Sequence, residues 1–368
     1  MQMRWNPYVL LKGEHISQFY ETHFTGTDKK VLYCMGKGFD SRMNIGLEKL
    51  LATYKNVELL LISYQEYSSS SRKYRGLAEK NEKALRNLYP GRIQEKLIST
   101  VGVNGRKKTH LDKEVSDLID NTYITGYTDI FIDISSLPRG IYFSVVGKFL
   151  SLIDNITTLP VPNLFVVTAE NAQLDLSIQE EGINDLRYTF GFGGGIELES
   201  QSLPIIWLPL VGENRTTHFT KANTHIQPSE ICPILPFPSK NPRRSDDIFR
   251  EYYELLFEVL SIEPQNIIYV PEQNPFEVYR TLVNTAINYN ESLSELQGCK
   301  IVLSAFSSKL LSIGAILAAY EFKYMEGFNV GILNVDNQGY RINNIESFEA
   351  MGKESELFVS WLTGQPYN

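Results

Sequence analysis

Cysteine is scarce in this chain: three residues in 368, Cys34, Cys232 and Cys299, with no Cys-x-x-Cys spacing. That excludes a disulfide framework and a cysteine-rich zinc site, and the three read as small core residues at strand ends. Long apolar runs are also missing. None approaches the roughly 20 residues of a membrane span. The opening stretch MQMRWNPYVLLKGEHIS lacks the apolar centre of a signal peptide. The expectation is a cytoplasmic protein that meets no membrane. A basic excess is absent: 35 Lys and Arg face 43 Asp and Glu, a net charge of −8. Duplex nucleic acid needs a cationic face, so it is not the expected partner. The five histidines, His15, His23, His110, His218 and His225, show no His-Glu-x-x-His or His-x-His pattern and no carboxylate at ligand spacing, so no metal site is expected. His218 and His225 read as surface residues beside a helix. No nucleophile elbow is present either. Catalytic residues and cofactor stay unidentified.

What is present is a globular composition, 43% hydrophobic and 21% charged, at a length that fits about two domains. Continuous apolar strands alternate with helical periodicity. Strands are expected at Lys30–Met35, Val57–Ser63, Lys96–Val101, Thr128–Ile134 and Leu164–Ala169, with helices at Met43–Tyr54, Gly76–Leu88, Leu111–Asn121 and Pro138–Asp154. The rhythm then resumes with strands at Pro204–Val211, Ile231–Leu235, Asn266–Val270, Lys300–Ser304 and Asn329–Val335, and helices at Asp246–Leu260, Pro275–Asn290 and Ser307–Phe322. Such alternation gives α/β architecture: two Rossmann-like, doubly wound lobes with mainly parallel sheets. The expected division is an N-terminal extension (1–27), lobe one (28–170), a glycine-rich connector containing TFGFGGGIELES (171–203), lobe two (204–340) and a C-terminal tail (341–368). Leu357, Val359, Trp361 and Leu362 would anchor that tail.

One unit recurs. Phe131–Ile153 and Ile301–Phe322 each run from an apolar strand through a Ser-Ser turn and a basic residue into an apolar helix. The first amides of such a helix point outward, and with Arg139 or Lys309 beside them they favour an anion. In open sheets, ligands sit beyond the carboxyl ends of the strands, which selects four loops. Gly36, Lys37, Gly38, Asp40, Ser41 and Arg42 form the first; its glycines admit a phosphate closely, and Asp40 accepts from a sugar hydroxyl or caps a helix. Asp133, Ser135, Ser136 and Arg139 form the second. Ser307, Ser308 and Lys309 form the third, after Ser304. Arg243 and Arg244, in the proline-stiffened loop PFPSKNPRRSDD, form the fourth. GENR at 212–215 and PEQNP at 271–275 stand at neighbouring strand ends. The other basic cluster, GRKK at 105–108, reads as a solvated loop or a small-anion site.

The pattern strand–Asp-x-Ser-Ser-x-x-Arg–helix at Asp133–Arg139, with its counterpart at Ser304–Lys309, resembles the CRISPR-associated Rossmann fold (CARF) sensor domains and the related SAVED domains, which are built from two fused CARF-like units. The family prefers Gly-Gly-Thr in the turn; this chain has serines there. The resemblance implies binding of cyclic oligonucleotide signals in antiviral defence, with an effector activity supplied by a protein partner. The loop Gly36-Lys37-Gly38-Phe39-Asp40-Ser41 is similar to the Ser-Gly-Gly-x-Asp-Ser of PP-loop ATP pyrophosphatases, matching at Gly38, Asp40 and Ser41. That implies ATP-dependent adenylation in lobe one. The residues themselves point to a small nucleotide or phosphate-bearing ligand, bound for sensing or regulation. A degenerate adenylating enzyme and a non-catalytic partner subunit stand as alternatives.

Overall fold

The computed structural model describes residues 2–26, 28–65, 73–99, 111–193, 195–196 and 203–367. The GRKK cluster at 105–108 and the polar loop at 68–72 lie outside the described residues. The chain folds into two compact units. The first unit is Pro7–Glu181 with Gln338–Asn368, and the second is Gly182–Asn337 with Met1–Asn6. Both are α/β with mainly parallel sheets, as the alternation requires.

In the first unit β1 (Val9–Lys12) and α1 (Glu14–Phe24) precede β2 (Val31–Lys37), α2 (Ile45–Leu51), β3 (Val57–Gln65), α3 (Arg75–Leu88) and β4 (Ile93–Ser99). Then follow α4 (Leu111–Leu118), β5 (Asp129–Asp133), α5 (Arg139–Asp154), β6 (Asn163–Glu170) and α6 (Ala172–Ser177). The chain returns later to add α11 (Ile345–Lys353) and β14 (Glu356–Thr363). The sheet order is β1-β14-β6-β5-β2-β3-β4. Strands β4, β3, β2, β5 and β6 run parallel. β14 is antiparallel to β6 and β1 antiparallel to β14. Strand order therefore reverses between β2 and β5, which makes that junction the switch point. β2 reads VLYCMGK and is buried until its last residue, as a strand covered on both faces must be.

The segments expected as extension and tail thus complete this sheet. Val359 and Trp361, expected to anchor a tail, lie in β14 and join Tyr33, Phe131 and Phe165 in the core. Phe131 stacks on Phe165 at 4.5 Å, and Phe165 meets Trp361 at 4.9 Å. ELFVSWLT is buried from its second residue on, so the stretch expected as a tail is a strand covered on both faces.

The second unit repeats the winding. β7 (Ile178–Tyr188) leads into β8 (Ile205–Leu210), α7 (Thr216–Ile226), β9 (Glu230–Ile231), β10 (Ile234–Pro236) and α8 (Arg244–Tyr253). β11 (Ile268–Val270), α9 (Pro275–Ser292), β12 (Lys300–Ala305), α10 (Lys309–Phe322) and β13 (Asn329–Ile342) follow. The order β11-β10-β8-β12-β13 is parallel throughout, with β7 beside β13 and the short β9 beside β8. Order reverses between β8 and β12, so this sheet has its own switch point. β7, preceded by α6, lies in the stretch expected as a glycine-rich connector, α7 was not among the expected helices, and three further elements differ from expectation. The single strand Ile231–Leu235 is two short strands interrupted at Cys232 and Pro233, because proline has no amide hydrogen to give the ladder. The helix Asp246–Leu260 widens into a π-turn at Glu254–Val259. The strand Asn329–Val335 runs on to Ile342. α10 carries apolar residues on every side, and accordingly it is buried almost throughout. Among the described residues no helix is long and apolar enough to cross a membrane.

Candidate functional site

The first switch point is built by two loops that meet. β2 ends in Gly36 and Lys37, and the chain after β5 turns back over them. Ser136 donates its hydroxyl to the Gly36 carbonyl at 2.7 Å. A Cβ on Gly36 would collide with the Leu137 side chain, so only glycine lets the turn come this close. Gly38 lies under the Ser136 carbonyl, 3.2 Å from where its Cβ would stand. The sequence-predicted residues Gly36, Gly38 and Ser136 are therefore one constellation, with Leu137 packed into it.

The acids and cations here already have partners. Asp40 accepts from the Arg42 guanidinium at 3.0 and 2.8 Å. Arg42 is buried, and its Nη2 also meets Asp175 at 2.8 Å, while Nη1 donates to the Ala169 carbonyl at 3.3 Å. Burial alone would lower the pKa of Arg42; Asp175 and Asp40 outweigh it and hold the guanidinium charged. Ser41 donates to the Phe348 carbonyl at 3.2 Å. Lys37 is paired with Glu82 at 2.7 Å and Glu95 at 3.4 Å. Arg139, first residue of α5, meets Glu180 at 3.4 Å.

Asp133 is buried at the end of β5. It accepts from the Tyr33 hydroxyl at 2.7 Å and from the Ser135 amide at 2.9 Å. Burial first, and then the Asp133 charge, push the Tyr33 and Tyr20 hydroxyls and the Cys34 thiol upward. These groups stay protonated at neutral pH, so Tyr33 remains a donor to the carboxylate. Ser135 accepts from the Ala169 amide at 2.9 Å and so ties this turn to β6.

The second switch point has the same geometry with other side chains. Gly212 follows β8, and its Cβ would stand 2.6 Å from the Phe306 carbonyl and 2.9 Å from the Ser307 Cα. Ser308 caps α10 by accepting from the Leu311 amide at 3.3 Å, and Lys309 opens the helix half-buried. Arg243 is exposed at the start of α8. Arg244 instead turns inward, forking onto Glu213 at 2.7 and 2.8 Å and bonding Glu272. Desolvation opposes the Arg244 charge, but these carboxylates raise its pKa well above the ordinary arginine value. Among the described residues no group of His, Cys, Asp and Glu is arranged to hold a metal ion.

Several residues of these sites were not singled out by sequence. Glu213 and Glu272 lie in GENR and PEQNP, loops already marked as strand ends, and their spacing to Arg244 is purely tertiary. Glu180 and Asp175 follow β6 and carried no motif. His218 corrects the surface reading: it is buried, and its Nε2 lies 2.6 Å from Asn337 Oδ1. Its position in the first turn of α7, just after a strand end, was the available signal.

No protein-family model matches the chain, and no curated protein matches it. Among solved structures it is similar to a type III CRISPR defence DNA nuclease activated by cyclic oligoadenylate, with 10% identity, 87% of this chain and 70% of that chain covered, and a TM-score of 0.47. It is also similar to phosphoethanolamine N-methyltransferase 1 of Haemonchus contortus in complex with phosphoethanolamine and S-adenosylhomocysteine, with 7% identity, 95% and 91% covered, and a TM-score of 0.23. Likenesses at these scores say nothing of what this chain binds.

Proposed function

We propose that the chain binds a nucleotide-type anionic ligand at one or both switch points, for sensing or regulation. One observation supports this above the others. α5 and α10 occupy equivalent places in the two sheets, and each opens on a cation, Arg139 or Lys309, with no acid in its first turn. A cation at the positive end of a helix is electrostatically unfavoured, and a bound anion would offset this, adding at Arg139 to the charge that Glu180 already supplies. A phosphate there would meet outward amides, the small turn residues and the basic side chain together. In the first unit it would share Arg139 with Glu180 and lie beside Gly36 and Gly38. In the second it would lie beside Ser307 and Ser308, with Arg243 within the same family of loops. The likeness of the Ser-Ser turns to CARF and SAVED sensors puts cyclic oligonucleotides in the ligand class and antiviral defence among the pathways.

A thermal-shift panel of mono-, di- and cyclic nucleotides tests this. A ligand at about 100 times its Kd adds about 2.7 kcal/mol to the unit that binds it. The shift should shrink in Arg139→Ala or Lys309→Ala, according to which unit binds. Unchanged affinity in the double variant overturns the reading.

A further inference from the structure

A surface on the second unit is explained neither by the fold nor by a nucleotide site. Ile248, Tyr252 and Leu256 of α8 and its π-turn face the core, as their spacing demands. One position further at each step, Phe249, Tyr253 and Phe257 form a second row, with ring centroids 6.1 and 5.3 Å apart; Phe249 and Phe257 rest partly against the core, and Tyr253 stands between them in water. Tyr253 is 51% exposed and Val259 65%. Elsewhere on this unit, at the sheet edge, Phe237 and Tyr269 pair at 6.1 Å, again about half in water. Exposed apolar side chains that stand together mark a recognition surface more often than chance exposure does. Beside the row Asp247 and Arg250 of α8 pair with each other, and Glu254 and Glu258 of the π-turn stand in solvent; Arg243 is exposed at the far end of α8.

We propose that this face docks a basic amphipathic helix of a partner protein. The aromatic stripe would take the partner's apolar side, and Glu254 and Glu258 its lysines or arginines. Charge decides among occupants. A second copy, docking through the same patch by a two-fold axis, would bring one acidic band against another. An anionic membrane would be repelled for the same reason. Strand addition has little to pair with, since edge strand β11 has three residues and ends at Pro271.

The probe is a labelled Leu/Lys peptide of about 18 residues, patterned as an amphipathic helix, with a Leu/Glu peptide of the same pattern as control. Fluorescence anisotropy on the full chain should show the Leu/Lys peptide bound and the Leu/Glu peptide free. Tyr253→Ala should weaken binding about tenfold, as loss of an aromatic anchor does. Glu254→Lys with Glu258→Lys, at exposed positions, should abolish it and admit the Leu/Glu peptide. Equal binding to wild type and both variants overturns the proposal. So does a sedimenting dimer, or retention on phosphatidylglycerol vesicles, that Tyr253→Ala removes, because the face then belongs to a second copy or to lipid.

Discussion

The two switch points meet one packing demand in different ways. In each, a glycine must stand at or just past the end of the unit's first parallel strand, because the turn that opens the fourth strand's helix comes down on it. Over Gly36 that turn offers the Leu137 side chain; over Gly212 it offers the Phe306 carbonyl and the Ser307 backbone. Each unit also buries an arginine between carboxylates, but not at equivalent places. Arg42 follows the first strand and joins Asp40 to Asp175 of α6. Arg244 follows the second strand and joins the loops after β8 and β11. Topology therefore dictates the glycine, whereas the ionic lock goes wherever loops need tying.

The largest effect should come from the locks. Arg42→Met leaves Asp40 and Asp175 facing each other without their cation, and breaking a buried pair in this way destabilises by about 3–5 kcal/mol. The Arg42 side chain is 2% exposed and that of Arg244 8%, so on the burial of the cation itself Arg244→Met should do less. Hydrogen exchange followed on peptides from each unit separates the two losses, which a single melting curve would blend. Equal losses would mean that burial does not set the difference.

The glycines come next. Gly212→Ala forces a methyl against backbone, which cannot rotate away, and overpacking of this kind costs about 1–3 kcal/mol. Gly36→Ala meets a side chain that has other rotamers, so its loss should lie at the lower end. Denaturant midpoints of the two variants decide the order, and a larger loss at Gly36 would reverse the comparison.

Acid sharpens it further. Burial pushes the Glu213 carboxyl up, but the Arg244 guanidinium outweighs this and holds it below the ordinary 4.5. A depressed carboxylate stabilises fully above its unfolded value and loses that contribution as pH falls through the folded one. The second unit should therefore weaken as pH drops below about 4.5. Arg244→Met should flatten that dependence in urea titrations at several pH values. A slope unchanged by the substitution would separate Glu213 from the acid response.

The strand rhythm made the two doubly wound sheets legible, since buried parallel strands leave unbroken apolar runs such as VLYCMGK. It did not show β1 and β14: β1 is only four residues long, and the apolar run of β14, though buried from its second residue on, is broken by Ser360. The switch loops were legible as places: Gly36, Ser136, Ser307 and Ser308 do stand at strand ends. The state of their charges was not. Arg42, Arg139 and Arg244 were marked as cations at strand ends, but their carboxylate partners Asp175, Glu180 and Glu272 lie 133, 41 and 28 residues away in the chain, and only Asp40, beside Arg42, was in view. A motif reports residue types near each other in sequence and carries no record of which acid returns to meet them. His218 was missed for the same reason, its partner Asn337 being supplied by β13.

The smallest effect should come from Lys37, which by sequence belongs with Arg42 in one loop. Its ion pair with Glu82, at 2.7 Å, is as short as those of Arg42, but Lys37, Glu82 and its second partner Glu95 are 27%, 20% and 36% exposed. Burial alone would lower the Lys37 pKa, and the two carboxylates raise it, so it stays charged. Water screens what it gains. Lys37→Met should then cost less than about 1 kcal/mol, and 1 M salt should erase most of that. Five positions along the same loop, Arg42→Met is expected to lose several times more and to keep its loss in salt. A loss of about 3 kcal/mol at Lys37, insensitive to salt, would place it among the buried locks. Solvent access would then no longer explain why two cations of one loop differ.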